Sequence, residues 1–289
     1  MTLKKLTLAL ALSGLPLLAN AAQVLTTLPV THSLAAALLD GTSVQLKSAV
    51  PDNLPASRQP SYFEGRGGAS LQKAAQQADA VIGVRSIWRD DPLYPMARRS
   101  NIRIVEIDAA RPVDGALPGI AVNGEQAFAA YPWLNPTNLG RMADVVANDL
   151  ERLSPADKAK IQGNLAGLKR QMLELTASSQ AQLAEVDNLS VVSLSERLGY
   201  LASGLNLDVV EQPLHADEQW DEAALKALTG NLKQQDVALV LHHRQPDAKV
   251  VAAIEAGGAK LLVVDSDPQD TVAGLKASVE QVVKALGNG

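Results

Sequence analysis

The chain has 289 residues, 47% hydrophobic and 20% charged, with 26 basic against 31 acidic side chains and a net charge of −5. That length and apolar content suit two folded domains and exclude a disordered or collagen-like chain; the acidic balance argues against a nucleic-acid partner. Cysteine is absent, which excludes disulfides, thiolate metal sites, cysteine nucleophiles and a lipid-bearing N-terminal cysteine; histidine, at 4, is scarce.

Residues 1–21 read as a secretory signal peptide: Lys4 and Lys5, an apolar run over 6–18, then the small-residue cleavage site Ala19-Asn20-Ala21. The run is shorter than the roughly 20 residues a spanning helix needs, and Gly14 and Pro16 interrupt it. Cleavage predicts a mature chain from Ala22, soluble in a periplasm; the competing reading is an uncleaved anchor.

From there strand and helix signals alternate. Residues 24–28 are β-prone, 33–39 form an Ala/Leu helix closed by Asp40-Gly41, 44–50 are strand-like, 69–77 helical, and 80–84 and 102–107 further strands. After Asn135-Pro136 the texture turns helical over 137–152. Ser154-Pro155 then restarts a helix to about residue 185, some 30 residues or roughly 45 Å, with Lys158, Lys160, Lys169 and Arg170 on a solvated face and Leu165, Leu168, Met172 and Leu175 on a buried one. The alternation resumes with strands near 190–194, 207–211, 237–241 and 260–264 and helices near 221–228, 248–256 and 271–286. The reading is an α/β fold of two Rossmann-like lobes with parallel sheets joined by a single long α-helix: lobe 22–153, link 154–186, lobe 187–289. Such lobes place a ligand cleft at the carboxyl ends of their strands, a geometry for capture rather than turnover.

Standard catalytic signatures are missing. Gly65-Arg66-Gly67-Gly68 follows no clear strand and reads as a loop rather than a phosphate cradle, and Asp90-Asp91 before Pro92 reads as a turn. Imidazole is the one nitrogen ligand a cysteine-free chain offers a transition metal. His242 and His243 end an apolar strand, and alternation should aim one of them, assigned as His242, into the cleft, against a structural role. His32 follows the first strand, where capping or packing the first helix competes with a cleft role; His215 reads as a surface-loop residue. Asp265 closes the last strand at the cleft edge, against an N-cap or turn role.

Tyr131-Pro132-Trp133-Leu134-Asn135-Pro136, followed by two helices broken at Ser154-Pro155-Ala156-Asp157, resembles the periplasmic metal-binding proteins of zinc and manganese ABC transporters, over nearly the whole mature chain. The resemblance implies that a divalent metal is captured between the lobes and passed to an inner-membrane permease driven by a cytoplasmic ATPase, with a monomer as the default. Where that family usually supplies three histidines and a carboxylate, this chain carries Ser61, Tyr131, Ser195 and Asp265, and hydroxyls are poor zinc ligands. Two repairs are open. His242, His32 and Glu196 rebuild a site around Asp265, or the cleft takes a metal chelate or another small anion, with Arg58, Arg85 and Arg197 as anion contacts. The alternative to metal capture is an accessory or interaction protein that kept the scaffold and lost its solute. A periplasmic hydrolase lacks a nucleophile and base at recognisable spacing.

Overall fold

The computed structural model describes residues 21–112, 115, 117–122 and 128–287. Residues 1–20, nearly all of the expected signal peptide, lie outside them. The first lobe contains β1 (Gln23–Thr26), α1 (Pro29–Leu39), β2 (Gln45–Ser48), α2 (Gln59–Glu64), α3 (Gly68–Gln77), β3 (Ala80–Gly83), α4 (Leu93–Ser100) and β4 (Val105–Asp108). Two helices follow, α5 (Pro136–Leu153) and α6 (Lys158–Leu183). The second lobe contains β5 (Ser190–Ser193), α7 (Gly199–Gly204), β6 (Asp208–Glu211), α8 (Glu222–Gln234), β7 (Leu239–His242), α9 (Ala248–Ala256), β8 (Lys260–Val263) and α10 (Thr271–Gly287).

The sheets run β2-β1-β3-β4 and β6-β5-β7-β8, every pairing parallel. The second lobe therefore repeats the first lobe's topology. Each sheet is covered on both faces, which is why its central strands are continuously apolar. Side-chain alternation divides those residues between layers. Val24, Ala80, Ile82, Val191, Leu239 and Leu241 face one continuous core, whereas Leu25 and Val81, and Val192 and Val240, face a separate outer core in each lobe.

The continuous core runs through both lobes because α5, α6 and α10 are shared. On α6, Ile161, Leu168, Met172, Leu175 and Leu183 are buried, spaced by three, four, seven or eight residues along one stripe. Lys158 and Lys169 on its outer side pair with Glu151 and Asp144 of α5. The α10 helix, the last segment of the second lobe, packs back on both α1 and α6. Asp270 fastens its start: one carboxylate oxygen accepts from the amides of Val272 and Ala273, both at 3.0 Å, and from the Ser33 hydroxyl of α1 at 2.9 Å. Among the described residues no helix is long and apolar enough to cross a membrane.

Candidate functional site

Loops leaving the carboxyl ends of strands in both lobes enclose a cavity of about 780 Å³. Residues 53–57, Phe128, Ala129 and Tyr131 form its first-lobe wall; residues 194–197, 214–216, His243, Asp267 and Gln269 form the other. Gln269 Nε2 donates to Asn53 Oδ1 across the gap at 2.8 Å. A larger groove, about 1130 Å³, runs between α6 and α10, away from the strand ends where a doubly wound lobe presents its functional loops.

Tyr131 is held in the left-handed backbone region, φ 51° and ψ 64°, directly before the short 3-10 turn Pro132–Leu134. That conformation is costly for a bulky residue and persists because the ring is clamped. Its centroid lies 4.8 Å from Trp133 and 6.2 Å from Phe128, and Phe128 stacks on Trp88 at 4.6 Å. From the second lobe, the Arg197 guanidinium lies over the Tyr131 ring, 4.8 Å from its centre. Burial pushes the Tyr131 hydroxyl pKa up, with Asp267 adding and Arg197 opposing, so the phenol is neutral at physiological pH.

Beside Arg197 lie His243 and Asp267. Burial is the largest cause that lowers the His243 pKa to about 4, aided by the Arg197 charge, so the imidazole is neutral. Its Nδ1 is buried without a hydrogen-bond partner, and the residue lines the cavity. Burial likewise raises the Asp267 pKa; Arg197 pulls it down and Asp265 adds to the rise. Among the described residues Arg197 makes no ion pair, and its polar contact is the Ser266 hydroxyl at 3.5 Å. Glu196 also lines the cavity, and so does Ser195, whose hydroxyl is buried without a partner.

Several expected residues stand elsewhere. His242 is buried in the end of β7, and its Nδ1 accepts from the His243 amide at 2.8 Å and the Arg244 amide at 3.4 Å. The chain leaves the strand at this point, so the ring turns back onto the loop backbone and His243 takes the cleft. Asp265 Oδ1 accepts from the Asp267 amide at 3.0 Å, a turn that puts Asp267, two residues on, at the cavity. Ser61 lies on the exposed face of α2, its hydroxyl donating to the Arg58 carbonyl. The helix begins at Gln59 with Pro60 in its first turn, so the cavity wall is the preceding loop, and neither Ser61 nor Arg58 lines it. Arg85 pairs with Glu106 at 2.7 Å and borders a different cavity near Asp108. His32 sits 2.9 Å from Thr26 Oγ1, beside a small annex of about 290 Å³ that shares Asn53, Leu54 and Gln269 with the main cavity. His215, read as a surface-loop residue, packs edge-on against Trp220 and lines the cavity. No sequence signal separated His243 from His242 or Asp267 from Asp265.

Among the described residues no three histidine, aspartate or glutamate side chains converge to hold a metal ion. Zinc takes about four nitrogen, sulfur or oxygen ligands near 2.0–2.3 Å. These side chains do not fit a bare ion as a closed site. They form a neutral imidazole, a guanidinium with no ion pair among the described residues, a carboxylate and an aromatic wall around a volume far larger than an ion.

No curated protein matches the chain. Solved structures match along its length: a zinc-bound ZnuA deletion mutant (21% identity, 92% of this chain and 98% of that one, TM-score 0.67), an FpvC mutant from Pseudomonas aeruginosa (18%, 92% and 100%, 0.72) and the metal-dependent lipoprotein YcdH from Bacillus subtilis (17%, 93% and 98%, 0.71). At these identities the likeness shows a shared fold. The family model described as ZnuA, zinc-uptake complex component A, periplasmic, matches residues 24–281. With that match running over most of its length, the chain belongs to the ZnuA family of metal-binding periplasmic components of ABC transporters.

Proposed function

We propose that this chain captures a divalent metal cargo of zinc or manganese type in the cavity between its lobes and delivers it to an inner-membrane ABC permease. It acts in the periplasm as a soluble monomer once residues 1–21 are removed, without a nucleic-acid partner. The observation that carries the reading is the placement of Tyr131, Arg197, His243 and Asp267 around one cavity where strands of both lobes end, in a member of a zinc-uptake family.

The mechanism is binding, not turnover. The cavity's buried Ser195 hydroxyl has no base bonded to it, as an activated nucleophile would require. The shared helices favour loop ordering over a wide hinge swing, so the cargo is desolvated by walls already in place. Native mass spectrometry of the protein, purified from periplasmic extract without chelators, tests this. The expected spectrum carries a mass increment with a metal isotope pattern. A bare polypeptide mass under conditions that preserve known metal-protein complexes refutes it.

A further inference from the structure

We infer that the cargo enters as a metal already held by a small carboxylate-bearing organic ligand: Arg197 receives the carboxylate, Phe128 and Tyr131 take the ligand's flat or apolar body, and His243 Nε2 fills an open position on the metal. The inference rests on the proposed site and adds the chemical class of the cargo. Three observations converge on it.

The first is size. About 780 Å³ falls within the roughly 300–1,000 Å³ of small-molecule sites, whereas a bare ion needs only the space between its ligands. The second is the ligand deficit. With no converging set of three metal-binding side chains among the described residues, the metal's remaining coordination positions are left to water or to a ligand that travels with it. The third is the charge pattern. A guanidinium with no ion pair among the described residues repels a bare dication but suits a carboxylate, which it can grip through two parallel hydrogen bonds. Asp267 lines the same cavity as Arg197, so a carboxylate and a guanidinium are both offered to the two poles of a metal carboxylate.

The test titrates metal-stripped protein, by calorimetry and thermal shift, with zinc chloride alone, with pyridine-2,6-dicarboxylate, histidine or citrate alone, and with the zinc complex of each. At least one complex is expected to bind at least about 10-fold tighter than zinc chloride and than its own free chelator, a difference of about 1.4 kcal/mol. Arg197→Ala should weaken that complex by about 10- to 100-fold, the loss of a charge-assisted contact, while leaving the ligand-free melting temperature within a few degrees. With the cobalt(II) form of the same complex, the visible d–d bands should change on binding to the wild type and not to His243→Ala. Zinc chloride binding as tightly as every complex overturns the inference and leaves metal capture standing. No binding by zinc or by any complex overturns both. A preferred complex whose affinity is unchanged in Arg197→Ala also overturns the inference.

Discussion

The bond from Ser33 to Asp270 ties the start of α10 to the opposite lobe, and Asp270→Ala measures its worth. Asp270 Oδ1 serves two helix-capping amides and one hydroxyl. Loss of the cap costs about 1 kcal/mol. The bond from the buried Ser33 hydroxyl adds about 1 kcal/mol, held to the low end because the Asp270 carboxylate is exposed. A total of about 2 kcal/mol lowers the melting temperature by about 4–8 °C in a chain of this size. Urea denaturation of wild type, Ser33→Ala, Asp270→Ala and the double variant should give a coupling energy of about 1 kcal/mol between the two sites. Additive effects within about 0.3 kcal/mol would refute the cross-lobe bond, and an Asp270→Ala loss below about 0.5 kcal/mol would refute the cap as well.

Asp91 is 2% exposed and each of its oxygens accepts one amide, from Val84 and from Leu93, both at 3.0 Å; Asp91→Asn turns an N–H toward one of those donors and should cost about 1–3 kcal/mol in urea denaturation. Burial raises the pKa of Asp91 and of Asp108 above 3.8, so the folded state binds protons more tightly than the unfolded chain. Stability from these two groups is therefore present below pH 3.8 and lost as pH rises through their folded values, a slope that denaturation across acid pH should find reduced in Asp91→Asn. For His243 the sign is opposite: with the folded pKa near 4 against 6.5, stability falls as pH drops from 6.5 toward 4, and NMR titration should show a neutral ring down to about pH 4. In Gly274→Ala the new methyl collides with the Pro268 ring, next to the loop that carries Asp267. The expected loss is about 1–3 kcal/mol with weakened cargo binding, and unchanged melting and affinity would remove that loop contact from the account.

The strands were legible because their apolar runs are short and bounded, and α6 because its buried stripe keeps helical spacing from Ile161 to Leu183, about six turns. Helix α4 was not, since Leu93–Ser100 carries Pro95 and two arginines, and only the burial of Leu93 and Ala97 on one face reveals it. Helix α2 was hidden by Pro60, which belongs to its first turn rather than to a loop, and that helix removes Ser61 from the cleft. At the site the misplacements are one or two residues long and share a cause. Alternation predicts direction only while the chain stays in a strand, and both cleft loops begin with a side chain that bonds the backbone just after it: His242 to His243 and Arg244, Asp265 to Asp267. Those local bonds decide which neighbour faces the cavity, and local sequence does not encode them as a period.

How the lobes are joined limits what the cavity can admit. Along α10, Leu275, Val279, Val282, Val283 and Leu286 are buried in the core shared with α1 and α6. At about 1.5–3 kcal/mol per buried side chain, detaching that helix would cost on the order of 10 kcal/mol, comparable to the whole stability of a typical domain. Opening by that route is therefore closed to thermal motion, and α6 holds the lobes on the same side. Entry falls to the cavity's own loops, whose ties across the gap are few and weak by comparison: the Gln269 to Asn53 bond and the Arg197 guanidinium over Tyr131. With the lobes fixed by shared helices and only the loops free to adjust, the standing volume of about 780 Å³ suits a guest larger than a single metal, the cargo class inferred above.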